Sequence, residues 1–341
     1  MYEEFYNFTE KPFGLNPDPG FYYGSKEHNR VLAYLRYGIN QGEGFIVVSG
    51  DIGAGKTTLI GTLFKELEET EDIIAAQLVT TQLEPDDLLK MVAGSFGLRY
   101  EKMSKSELLN EIERFLRDMA KKGKRVLLIV DEAQNLQHHS LEELRMLSNF
   151  QYKKNSLLQS FLLGQAEFRD TLRAPNQEQF RQRIIASYHL GPMDKTESKN
   201  YIEHRLKVAG WRGDPHFAND TFGEIYKYTN GIPRRINTLC DRILLYLFTE
   251  EGHDVTVDTV KKVVKELDEE IHFSRDETDD TTEQENSISG EALKVTSGNK
   301  KKEPMTGTTE ERIKQLDDRV AELECVINKA QDLFASLMKL K

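Results

Sequence analysis

The feature that most constrains this chain is an eight-residue loop, Gly50-Asp51-Ile52-Gly53-Ala54-Gly55-Lys56-Thr57, set between an apolar run, Phe45 to Ser49, and an amphipathic stretch, Thr57 to Glu69. It fits the G-x-x-x-x-G-K-[ST] pattern in the strand, loop, helix setting that the pattern requires. Glycines let the backbone curl until successive N–H groups converge at the positive end of the following helix, which makes a cradle for phosphate oxygens. Lys56 is then placed to meet the β- and γ-phosphates of ATP, the Thr57 hydroxyl to bind Mg²⁺, and Thr58 to reach the α-phosphate.

The surrounding pattern predicts a parallel sheet flanked by helices. Short β-branched or Leu-rich runs recur at Ala75 to Thr80, Val126 to Val130, Phe161 to Leu163 and Ser187 to Leu190, alternating with helical stretches such as Ser104 to Lys122 and Leu141 to Phe150. Ser104 precedes Glu107 by three residues, a capping-box spacing that marks a helix start.

Arg125-Val-Leu-Leu-Ile-Val-Asp131-Glu132 supplies the second half of a site. A buried strand delivers Asp131 at its C-terminal end, where α/β sheets bind ligands, and Asp131 is placed to hold Mg²⁺ through water. Glu132, one residue on, can take a proton from an attacking water, an arrangement a kinase would not need. The run 161–163 is expected to lie between the two motif strands, which puts Gln165 beside the γ-phosphate or the water. Phosphoryl transfer also needs positive charge in the transition state. Arg234 opens a helix with Pro233 near its first turn and could reach back to the nucleotide. Arg181 and Arg183 precede the last strand, where one of the two could complete a neighbouring subunit's site.

The chain has 341 residues, 38% of them hydrophobic, enough for an α/β core and a smaller second domain. No run approaches the ~20 apolar residues of a membrane span, and the N-terminus lacks a signal-peptide pattern, so the expected location is cytoplasmic. Cys240 and Cys325 have no partner at metal-ligand spacing, and the pair His138-His139 lacks a third ligand. The net charge of −11 argues against phosphate neutralisation as the main business of the chain.

Composition divides the chain into an α/β nucleotide-binding domain over 1–190, a helical lid over 191–271 without strands, an acidic disordered linker over 272–309 and a coiled-coil helix over 310–341. The last assignment rests on Ile313, Leu316, Val320, Leu323, Ile327, Ala330, Phe334 and Leu337, which keep a heptad spacing.

These residues resemble the AAA+ ATPases similar to general secretion pathway protein A, and most closely those associated with the PEP-CTERM/exosortase system. The matching stretches include Phe5-Tyr to Lys11-Pro-Phe13, Val130-Asp-Glu-Ala-Gln-Asn-Leu136, Leu163-Gly-Gln165 and Gly231-Ile-Pro-Arg-Arg-Ile-Asn237 within about 1–271. The resemblance implies a P-loop NTPase fold of the AAA+ (ASCE) type, Arg234 as the sensor-2 arginine, and an N-terminal segment with Pro12 and Phe13 folded near the adenine. It favours a role beside exopolysaccharide production and exosortase-dependent protein sorting. The leading functional expectation is an ATP-hydrolysing homo-oligomer, assembled through ATPase interfaces and the coiled coil, that acts on a protein partner. The runner-up is an ATP-dependent assembly factor on DNA of the transposition-regulator type, with a lumen lined by Lys90, Lys102, Lys105, Lys121, Lys122, Lys124 and Arg125. A third reading makes the coiled coil a scaffold beside an idle site.

Overall fold

The computed structural model describes residues 1–79 and 85–270; the expected linker, 272–309, and coiled coil, 310–341, lie outside the described residues. Five parallel strands form the central sheet. They are β1 (Phe45–Gly50), β2 (Ile73–Val79), β3 (Arg125–Asp131) and, after a hairpin of β4 (Gln151–Tyr152) and β5 (Asn155–Ser156), β6 (Gln159–Gly164) and β7 (Ile184–Leu190). Their spatial order is β2-β3-β6-β1-β7. The run 161–163 therefore does separate the two motif strands. Leu162 pairs with Val47 on one side and Val130 on the other, so Gly164 and Gln165 emerge between the phosphate loop and Asp131.

Alternation along the strands explains why these runs are apolar throughout. Phe45 and Val47 of β1, Val126, Leu128 and Val130 of β3 and Leu162 of β6 enter a core with α4 (Pro85–Ser95), α5 (Lys105–Lys121) and α6 (His138–Leu147). Ile46, Val48, Leu127, Ile129, Phe161 and Leu163 point to the opposite face, against α2 (Lys26–Gln41) and α3 (Lys56–Glu68). The expected capping box at Ser104 is formed: its hydroxyl accepts from the Glu107 N–H while the Glu107 carboxylate accepts from the Ser104 N–H at 2.7 Å. Helix α6 starts at His138, three residues before the predicted Leu141, because the polar pair at 138–139 hides its first turn. His138 is bonded to Gln177 at 2.6 Å, a packing role. Between β6 and β7 lie α7 (Glu167–Arg173) and α8 (Glu178–Arg181).

The lid contains α9 (Lys195–Val208), α10 (Thr221–Thr229), α11 (Pro233–Thr249) and a further helix over 257–270. Two sequence expectations need correction here. The lid is not free of strands, since β8 (His216–Phe217) and β9 (Asp254–Val255) form a two-residue parallel pair too short to leave a periodic signal. The N-terminal segment, which begins with α1 (Tyr2–Phe5), does not belong to the α/β core. Tyr2, Tyr6, Phe8, Phe13 and Phe21 share one apolar cluster with lid residues such as Ile202, Leu239 and Ile243. Polar bonds fix the strap: Tyr2 Oη donates to Asp241 at 2.5 Å, Tyr6 Oη to the Gly252 carbonyl at 2.8 Å, and Arg205 Nε to the Pro12 carbonyl at 2.6 Å.

Phe13 is fully buried where this strap crosses the lid. Phe13→Ala is expected to cost about 3–5 kcal/mol, the price of deleting a core aromatic ring. Urea unfolding checks the magnitude, and hydrogen exchange should show the lost protection concentrated in α9 and α11 rather than in β1 and β3.

Candidate nucleotide site

The phosphate loop closes on itself. Lys56, 7% exposed, donates from Nζ to the carbonyls of Gly50 (2.8 Å) and Asp51 (3.0 Å), so the loop wraps its own ammonium. Burial pushes the Lys56 ammonium below its ordinary range, although the nearby carboxylates of Glu132, Asp131 and Asp51 oppose that shift. Gly53 and Gly55 take the left-handed φ values of 79° and 96° that such a loop needs. At Gly53 there is a second reason for glycine, because a Cβ would stand 2.4 Å from the Cβ of Arg234. Ala54 is buried inside the loop, and Ile52 stands at its exposed tip.

Thr57 and Asp131 meet across the sheet. The Thr57 hydroxyl donates to Asp131 Oδ2 at 3.1 Å, and Asp131 Oδ1 accepts the Glu132 N–H at 2.9 Å. Asp131 is 3% exposed, and burial raises its carboxyl above the usual carboxylate range against those two hydrogen bonds. Two adjacent hard oxygens suit Mg²⁺, which takes one or two protein oxygens and fills its shell with phosphate and water. Among the described residues no three His, Cys, Asp or Glu side chains converge, so a divalent ion here would depend on such outside oxygens.

Glu132 takes the left-handed conformation φ 54°, ψ 38°, uncommon for a residue with a Cβ, and a 3₁₀ turn over Ala133–Asn135 follows at once. That kink stops β3 and turns the Glu132 side chain into the cleft. Its Oε2 accepts from Gln134 Nε2 at 2.5 Å and lies 3.5 Å from Gln165 Nε2. Gln134 also accepts the Gln165 N–H through Oε1 at 2.9 Å, so one amide holds Glu132 and Gln165 together.

The cleft above the loop is lined by Lys56, Thr57, Thr58, Glu132 and Gln165 on the core side and by Tyr201, Arg205, Arg234 and Asn237 on the lid side. Arg234 is bound to the loop directly, its N–H donating to the Gly53 carbonyl at 3.1 Å. The N-terminal segment contributes residues 14–18 and 21–23. Phe13 is instead buried in the lid core, and Pro12 turns its carbonyl to Arg205. Neither lines the cleft.

Residues 39–172 match the AAA domain family. The chain is 37% identical over 257 residues to general secretion pathway protein A of Aeromonas hydrophila, a match that takes in 75% of this chain and 46% of that protein, so the chain spans about half the length of that relative. In fold it is similar to Cdc6p from Pyrobaculum aerophilum, with a TM-score of 0.59 at 15% identity over 76% of this chain and 71% of that one. It is also similar to the ORC2 protein of Aeropyrum pernix in its ADPNP-ADP complexes, with a TM-score of 0.54 at 15% identity over 71% and 67% of the two chains.

Arg181 and Arg183 sit at the N-terminal end of β7, about 20 Å of strand from the loop that follows β1. Arg181 Nη1 donates to the Leu172 and Ala174 carbonyls (2.9 and 2.7 Å), and its Nη2 bonds Glu178 at 2.6 Å. Arg183 bonds Ser148 Oγ at 2.9 Å and the Asn149 side chain. Neither approaches its own loop.

Two functional neighbours were not legible in the sequence. Arg205, 7% exposed, stacks its guanidinium 4.7 Å from the Phe21 ring and bonds Tyr201 Oη at 3.1 Å; Tyr201 Oη in turn donates to Asn237 at 2.8 Å. In sequence Arg205 falls at the helical spacing of Tyr201, Leu206 and Ala209, which places it on a packed face but gives it no role at the cleft. The other is His28, which bonds the phosphate loop from outside every motif. Of the lysines expected to line a lumen, Lys90 pairs with Asp87, Lys105 with Glu143 and Lys121 with Asp118, while Arg125 donates to the Ile39 carbonyl.

Proposed function

We propose that this chain hydrolyses ATP and acts as an oligomeric AAA+ switch or motor on a protein partner, in the setting of exopolysaccharide production and exosortase-dependent surface-protein sorting. The observation that carries the ATPase reading is Glu132: a carboxylate one residue beyond Asp131, turned into the phosphate cleft by a left-handed residue and held by Gln134. In this reading Glu132 orients a water and takes its proton as the water attacks the γ-phosphate, while Gln165 fixes the same water or a γ-oxygen. Lys56 neutralises the β- and γ-phosphates, and Arg234 closes the lid side. Mg²⁺, held by Thr57 and Asp131, would supply the remaining positive charge.

The similarity to general secretion pathway protein A supports a place beside a secretion pathway, and no described helix is long and apolar enough to cross a membrane. The DNA reading draws less support. Lys90, Lys105 and Lys121 are paired with neighbouring carboxylates, and the chain is acidic.

Arg181 and Arg183 stand away from their own site, which favours a role in a neighbour's. If one of them is a trans finger, its alanine variant should be inactive alone, and Lys56→Ala should be inactive alone. Mixing the two should restore ATP turnover, because some interfaces then join an intact loop to an intact finger. Steady-state phosphate release checks this, and no recovery with either arginine at assembling concentrations would remove the shared-site model.

A further inference from the structure

His28 is the third residue of α2, and it is 5% exposed. Its Nε2 lies 3.0 Å from the carbonyl of Ala54, inside the phosphate loop, and its Nδ1 lies 2.7 Å from Ser25 Oγ. A carbonyl can only accept, so the hydrogen sits on Nε2 and Nδ1 takes one from the Ser25 hydroxyl. Burial pushes the imidazole below its ordinary pKa and keeps it neutral, although the bond to Ala54 works the other way. The fit is close: a Cβ on Gly55 would stand 2.9 Å from His28 Nε2.

The link continues to the lid. Ser25 Oγ accepts the His28 N–H at 3.3 Å and so caps α2, and the neighbouring Lys26 N–H donates to Glu197 Oε1 at 2.7 Å. Glu197 belongs to the capping box that starts α9. Hydrogen bonds from Ala54 through His28 to Ser25, and from the adjoining Lys26 N–H to Glu197, therefore tie the loop, through the segment at 25–26, to the first turn of a lid helix.

Resting on the reading of this loop as a nucleotide site, we propose that His28 is a positioning residue for the phosphate loop. A trans peptide turns its C=O and N–H to opposite sides. With the Ala54 carbonyl held by His28, the N–H of Gly55 is directed away from α2 and toward the inside of the loop, where phosphate oxygens bind. The turn 25–28 keeps that peptide in register with α9, so loop and lid are set by one short segment that no nucleotide motif includes.

Three variants of the full chain test this by titration with ADP. His28→Phe keeps a ring of similar size but leaves the Ala54 carbonyl without its donor; binding is expected to weaken roughly 10- to 100-fold, the scale of a buried acceptor left unsatisfied. His28→Gln restores an N–H near the Nε2 position and should bind within about threefold of the parent. Parent-like binding by His28→Phe, or equal loss in both variants, would overturn the assignment. Should His28→Phe not fold, Ser25→Ala removes the donor that fixes the tautomer, along with the side-chain cap of α2. It should weaken ADP binding severalfold, and an unchanged affinity would count against the proposal. If the parent itself binds no ADP, the nucleotide reading fails separately, and the ¹⁵N shifts of His28 then decide. Protonation on Nε2 alone at neutral pH is expected; protonation on Nδ1 would overturn the latch.

Discussion

Glu132→Gln is expected to bind ATP·Mg²⁺ about as tightly as the parent and to hydrolyse it ~10²–10⁴-fold more slowly, the usual loss when a general base is removed. The amide keeps the shape of the carboxylate and can still meet the Gln134 and Gln165 side chains that flank it. It cannot accept a proton. The effect should therefore fall on kcat with KM little changed, which is the pattern of an interaction made only in the transition state. Single-turnover phosphate release separates the two quantities. Hydrolysis at the parent rate would show that the kink at Glu132 serves the turn over Ala133–Asn135 and not the chemistry.

Lys56→Ala should abolish nucleotide binding in the useful range. The substitution removes a buried ammonium with two short bonds to the loop, and with it the main charge opposite the phosphates. Two charge-assisted bonds that the ammonium would make to the phosphates, each about 1.5–3 kcal/mol, correspond to weakening by roughly 10²–10⁴-fold. Isothermal titration with ADP and with a non-hydrolysable ATP analogue checks this. Retained affinity for both would place the ligand elsewhere.

The parts of this protein that were legible in its sequence are those whose signal is local. The inner strands β1, β3 and β6 announced themselves as apolar runs because both faces of the sheet are covered there, and Gly50 to Thr57 lay in the setting its motif requires. Even the strand order could be anticipated at 161–163, since a glutamate following Asp131 implies a strand between the motif strands. The strap was illegible for the opposite reason. Tyr2, Tyr6, Phe8 and Phe13 carry no periodicity that says which core they join, and the lid that receives them lies some 200 residues away. His28 looks like any polar residue in a first turn until α2 is laid against the phosphate loop. Likewise, nothing local distinguishes Arg181, which holds the carbonyls at 172 and 174, from a free surface arginine.

That division also shows where function is concentrated. Motif residues set the phosphate end of the cleft, whereas the wall opposite includes side chains held by distant partners: Arg205 by Pro12 and Tyr201 by Asn237.

The most direct test of the account is sedimentation velocity of the Glu132→Gln chain with ATP·Mg²⁺ and with ADP. A switch that assembles around bound ATP should sediment as a larger species with ATP than with ADP, and the difference should vanish when Lys56→Ala is added to the same chain. A single species of the same size in both nucleotides, at concentrations where binding is saturated, would contradict it.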